Sequence, residues 1–167
     1  MAFTYSKLAS STVGVGGAST ITFNNIPQNY TDLVIKFSIR STTTTNNVYI
    51  TLNSTSTGYS SRFLYGDGAA AASASDSLKY AGVVGSSAET ANTFGNGEIY
   101  IPNYTSSNNK SLSSDSVSEN NATTTYAVLT AKLWSNVTAI SSISLAPSSG
   151  SYAQYSTAYL YGIRVEL

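Results

Sequence analysis

At 167 residues the chain has the size of one domain, and a globule of that length removes roughly 70% of its unfolded surface from water. Eight basic and eight acidic residues cancel and are scattered singly, which leaves no electrostatic footprint for a nucleic-acid backbone or an anionic membrane. The absence of cysteine and histidine excludes disulfides, thiolate nucleophiles, imidazole bases and nearly all zinc, copper and haem ligation. Charged residues make up only 10%, so solubility must rest on hydroxyls and amides. Aromatics at 11%, thirteen of them Tyr, together with frequent Ile and Val argue for a folded domain rather than a disordered chain.

The first 17 residues, MAFTYSKLASSTVGVGG, show no cationic segment and no long apolar run, so no signal peptide is expected. Residues 1–18 read as an N-terminal arm or edge strand, with strand character over 3–8. TITFNNI places Ile21 and Phe23 on one face and closes at Pro27. In DLVIKFSIRS, Leu33, Ile35, Phe37 and Ile39 point one way and Val34, Lys36, Ser38 and Arg40 the other. NVYITLN repeats the alternation with Val48, Ile50 and Leu52, and the intervening TTTTNN at 42–47 has the length of a hairpin turn. Strands follow at 59–66 and 78–84, with GDGAAAASASD between them read as a loop and AAAASAS as the one alternative helix. Further strands fall at 97–102 and 110–118. FGNGEIYIPNY, 94–104, reads as an edge strand: Ile99 and Ile101 face in, Glu98, Tyr100 and Pro102 face out, Gly95 and Gly97 bend the approach, and Pro102 removes a ladder donor. TTYAVLTAKLW is apolar on both faces, the mark of a central strand with a covered outer side, and Trp134 plugs the core at its end. Strands at 140–146 and 157–166 complete the chain. About ten strands with no helical stripe predict one all-β domain over 1–167, an antiparallel two-sheet β-sandwich of the jelly-roll kind.

Catalysis would have to rest on carboxylates, Tyr, Lys or Ser. Asp67, Asp76, Glu98, Asp115 and Glu119 form no local pair of the sort glycoside hydrolysis needs, and G-x-S-x-G is absent. The glycines of VGVGG spell no phosphate loop. Asp67 between Gly66 and Gly68 reads as a turn residue before it reads as a calcium ligand. Five N-x-S/T triplets, from Asn29, Asn53, Asn103, Asn121 and Asn136, follow from composition. The stronger signal is Tyr mixed with Ser, Asn and Gly, which supplies rigid contact area and adaptable hydrogen bonds. Tyr49, Tyr59, Tyr152 and Tyr155 are the candidate glycan contacts.

The strings STITFNNIPQNYTDLVIKFSIRSTT, TLNSTSTGYSSRFLYGDG, FGNGEIYIPNYTSSNNK, YAVLTAKLWSNVTAISSISLAPSSG and STAYLYGI resemble a family of small virion proteins of tailed bacteriophages, notably phages of cyanobacteria and other aquatic bacteria. The likeness runs from about Ser19 to Ile163 and carries structure rather than chemistry. It implies a virion surface component made in the host cytoplasm: a capsid decoration (cement) protein, or a tail fibre or appendage protein. Such a protein is non-catalytic, needs no cofactor and assembles as a homo-oligomer, often a trimer. Expected partners are a second copy, the major capsid protein or another virion protein, and, for an appendage, a host surface glycan; nucleic acid and membrane are not expected. No collagen-like or coiled-coil repeat precedes Ser19, which weakens a long-fibre role. Candidate interface residues are Phe3, Tyr5, Leu8, Val34, Tyr100, Tyr104, Tyr126 and Val128, with the N-terminal Phe3, Tyr5 and Leu8 as an anchor on the shell.

Overall fold

The computed structural model describes residues 3–121 and 125–165, and no helix forms among them. The alternating segments become twelve strands: β1 (Phe3–Thr12), β2 (Ile21–Phe23), β3 (Asp32–Ile39), β4 (Asn47–Leu52), β5 (Tyr59–Gly66), β6 (Ala71–Asp76), β7 (Tyr80–Val83), β8 (Gly95–Ile101), β9 (Lys110–Ser118), β10 (Tyr126–Trp134), β11 (Ile143–Pro147) and β12 (Thr157–Val165). They form two antiparallel sheets, one of eight strands in the order β1-β12-β3-β8-β9-β10-β5-β6 and one of four in the order β2-β11-β4-β7.

The two orders contain a jelly roll. Setting aside β5, β6, β9 and β10, the larger sheet reads β1-β12-β3-β8 and faces β2-β11-β4-β7, so the chain passes repeatedly from one sheet to the other, as two nested Greek keys require. Two hairpins are inserted into this frame. β5–β6 lies between β4 and β7, β9–β10 lies between β8 and β11, and β10 pairs with β5 from Trp134↔Tyr59 to Ala127↔Gly66. The insertions therefore extend one sheet by the four strands β9-β10-β5-β6, well beyond the width of its partner.

Between the sheets lies the main core. Leu33, Ile35, Phe37 and Ile39 of β3 meet Val48, Ile50 and Leu52 of β4 and Ile143 and Leu145 of β11, all buried. At its end Trp134 stacks on Tyr59 with ring centroids 6.2 Å apart, and the Tyr59 hydroxyl accepts from the Leu52 N–H at 2.8 Å. Burying aromatics of this size is among the largest single contributions a core residue makes.

Several expectations are corrected. The 42–47 segment does not close a hairpin, because β3 and β4 belong to different sheets; the alternation of each strand is right but does not say which sheet receives it. β8 is an interior strand between β3 and β9, and Pro102 falls just past its end, where no ladder donor is needed. Gly97 is not a bend: a Cβ there would stand 2.5 Å from the Phe37 ring and 2.6 Å from the Asp115 carbonyl, so the glycine admits close contact. Residues 71–76, read as loop or helix, form the exposed edge strand β6.

Candidate functional site

The extension β9-β10-β5-β6 has two chemically different faces. β10 alternates strictly, with Val128, Thr130, Lys132 and Trp134 buried and Ala127, Leu129, Ala131 and Leu133 exposed. Its outer side is therefore open rather than covered. Cross-strand register sets Leu129 beside Leu64 of β5 and Ala127 beside Val117 of β9. Leu64 is 60% exposed, Leu129 56%, Val117 40% and Leu133 37%, and it is their grouping on one face that is informative. A shallow trough of about 640 Å³ runs over this face between Leu64, Ala71, Val117 and Leu129. Farther along the same outer face Glu98 and Asp115 are register partners, and Lys36 binds Glu98 at 2.8 Å.

The inner face of the extension holds β7 by side chains. Ser114 Oγ donates to the Ala81 carbonyl at 2.7 Å, Ser116 Oγ accepts from the Val83 N–H at 2.9 Å, and the Lys132 ammonium donates to Ser61 Oγ at 2.8 Å and to the Leu78 carbonyl at 3.1 Å. Burial lowers the Lys132 ammonium from its ordinary value to about 8, partly opposed by Asp76. Next to this clamp β7 no longer covers the extension, and an aromatic cleft of about 350 Å³ opens. Phe63 and Tyr65 of β5 and Tyr126 and Val128 of β10 form its floor, Tyr80 and Val83 of β7 one wall, and Asn46, Asn47, Ala74 and Asp76 its rim. Phe63 lies 4.6 Å from Tyr80, and Tyr65 meets Tyr126 edge to face at 6.1 Å. Tyr49 packs against the same cluster. Burial, first among the causes, raises the Tyr80 phenol above its ordinary value and keeps it protonated.

The candidate residues sort as follows. Tyr126 and Val128 meet in the cleft on the inner face, not on an outer face. Val34 is fully buried, flanked in register by Tyr100 and Tyr161, so it offers nothing to a sister subunit. Tyr104 belongs to the core and donates its hydroxyl to the Pro27 carbonyl. Tyr100 is tied down by donating to Asp32 Oδ2 at 2.8 Å, and burial, with that carboxylate, pushes its phenol up to about 12. Of the N-terminal residues, Tyr5 is exposed on edge strand β1, Leu8 packs on the core, and Phe3 opens β1 with its side chain outside the described ones. Tyr59 and Tyr152 are core residues, which removes two of the four glycan candidates, whereas Tyr155 is 70% exposed and isolated from the cleft.

Phe63, Tyr65, Tyr80, Asn46 and Asn47 of the cleft, and Leu64, Leu129, Leu133 and Val117 as an exposed outer face, escape sequence reasoning, and Asp76 enters it only as a candidate catalytic carboxylate. The signal was the triplet Phe63-Leu64-Tyr65, which is apolar at consecutive positions and so must load both faces of one strand. Asp67 makes a turn: its carboxylate accepts from the Ala70 and Ala69 N–H groups at 2.7 and 2.9 Å, which holds its pKa below the ordinary range. No group of three or more metal-ligating side chains occurs among the described residues, and none of them forms a helix long and apolar enough to cross a membrane. Comparison with protein families, with curated proteins and with solved structures finds no match.

Proposed function

We propose that the protein is a non-catalytic component of a bacteriophage particle surface, a decoration protein that docks on neighbouring virion proteins through the outer face of β9-β10-β5-β6. The phage setting comes from the sequence resemblance. The observation that supports docking is that Leu64, Leu129 and Val117 line one trough on the outer sheet face, with Leu133 exposed farther along β10. A lone exposed leucine needs no explanation, but a contiguous set is a standing cost in water that a partner removes. Specific interfaces bury roughly 1,200–2,000 Å², a size that four adjacent strands can supply. The low charge suits adhesion that salt screens little. Glu98 and Asp115 sit on this open face with Lys36 beside them and no enclosing walls, an arrangement for solvation and ion pairing rather than for hydrolysis.

Counting copies in purified particles and rebinding the protein to particles stripped of it test this reading. A copy number matching the capsid lattice, with binding lost in Leu129→Asp and Leu64→Asp while the fold persists, is the expected result. Few copies confined to the tail, or undiminished binding by both variants, overturns it. The second reading, an appendage that reads host glycan, draws its support from the aromatic cleft; the Tyr-rich loops no longer carry it.

A further inference from the structure

We infer that the cleft between Tyr65, Tyr80 and Tyr126 is a binding site for a neutral saccharide of one or two hexose units. It lies on the opposite side of β5 and β10 from the docking face, so the inference stands whether or not that face docks, and wherever the protein sits on a particle.

Three observations carry it. The floor and wall are aromatic rings held in fixed mutual geometry, Phe63 against Tyr80 at 4.6 Å and Tyr65 against Tyr126 at 6.1 Å. A sugar presents a C–H face that packs on such rings, and rings already in place bind without an ordering cost. Around them stand polar groups without intramolecular employment. The side-chain amides of Asn46 and Asn47 and the hydroxyls of Tyr65, Tyr80 and Tyr126 make no hydrogen bond among the described residues. An amide offers both donor and acceptor, which matches vicinal sugar hydroxyls. Last, the lining contains one carboxylate, Asp76, and no lysine or arginine. A phosphate or other anion would meet no counter-charge there, whereas a neutral polyol meets groups it can satisfy. The volume of about 350 Å³ lies at the small end of ligand sites, as a mono- or disaccharide requires. A purely apolar occupant would desolvate the amides and phenols without replacing their hydrogen bonds to water.

The test is titration of the isotope-labelled full chain with methyl glycosides of glucose, galactose, mannose and N-acetylglucosamine, followed by amide chemical shifts. The expected result is saturable binding of at least one glycoside, with a Kd on the order of 1 mM, equivalent to about −4 kcal/mol. Shifts should be confined to 46–49, 63–65, 74–83 and 126–128. Tyr126→Ala and Asn47→Ala should each weaken binding about tenfold, equivalent to about 1.4 kcal/mol, and Tyr155→Ala should leave it unchanged. The amide spectrum reports at once whether each variant is folded, and Asn47→Ala removes no aromatic packing. No saturable shift with any glycoside, or shifts centred elsewhere, overturns the inference. So does occupation of the cleft by a tyrosine- or proline-bearing tetrapeptide when no glycoside enters, since that outcome assigns it to protein docking. Stripped-particle binding by the same variants separates this failure from failure of the docking reading.

Discussion

Lys132 is buried at the centre of the extension, with its ammonium on Ser61 Oγ and the Leu78 carbonyl and 5.3 Å from the centre of the Tyr59 ring. The folded protein releases its proton near pH 8 and the unfolded chain near 10.5, so between those values the unfolded state binds more protons and stability rises with pH. Above about pH 10 the sign reverses, because unfolded tyrosines ionise while Tyr59, Tyr80 and Tyr152, raised by burial, keep their protons. Denaturation midpoints measured from pH 7 to 11 should pass through a maximum near pH 10, and Lys132→Met should flatten the rise while leaving the fall. Gly97 makes an independent prediction. Gly97→Ala drives a methyl into the Phe37 ring and the Asp115 carbonyl, and should cost at least about 1–3 kcal/mol in chemical denaturation. Neither residue was legible in the sequence. Alternation gives Lys132 a face but not the burial of that face, and Gly97 resembles a turn glycine because its neighbours across the sheet are remote in the chain.

Between elements, the serines of β9 hold the two sheets together where apolar packing gives out. β9 reads KSLSSDSVS, with Ser114, Ser116 and Ser118 buried, so its inner face is polar and still belongs to the interior. Its hydroxyls complete the backbone of β7, and Ser118 Oγ donates to Glu89 Oε2 at 2.8 Å. Ser116→Ala leaves the Val83 N–H without its partner and should cost about 1–3 kcal/mol, more than Ser113→Ala on the open face, as thermal unfolding of the pair will show. Arg40 does comparable work at the end of β3, donating to the Glu89, Thr90 and Thr93 carbonyls at 3.0, 2.9 and 2.8 Å and so fixing the segment after β7. Strand existence was readable because Val, Ile, Leu and Phe alternate with polar residues in β3, β4 and β12. β6 was not, since AASASD has neither β-branched nor aromatic residues and is held by pairing with β5 alone. The cleft stayed hidden for a related reason: its residues come from β5, β6, β7, β10 and the start of β4, and only the insertion of two hairpins brings them together.

Across the whole molecule, composition and alternation were enough for a jelly-roll sandwich, and they underdetermined its edges. β1 carries Lys7 and an irregular register between Lys7 and Ala9, β2 has three residues and β7 four, each a feature that discourages a foreign strand. β6 has six small residues, no proline, no lysine and no register irregularity. Placing a lysine on it, as in Ser73→Lys, should reduce any concentration-dependent self-association seen by sedimentation while changing the unfolding free energy by less than about 0.5 kcal/mol. The pairing of β1 with β12 has a different outcome, one of timing. β1 cannot find its hydrogen-bond partner until β12 has been synthesised, and β2 likewise waits for β11. The strands β3 to β10 can pair among themselves earlier, but β1 and β2 stay without partners, so closure of the sandwich is a late event governed by contacts between distant parts of the sequence. Serine and threonine, abundant in β1 and present in β2, then serve a second end, keeping these unpaired segments dissolved until β11 and β12 arrive.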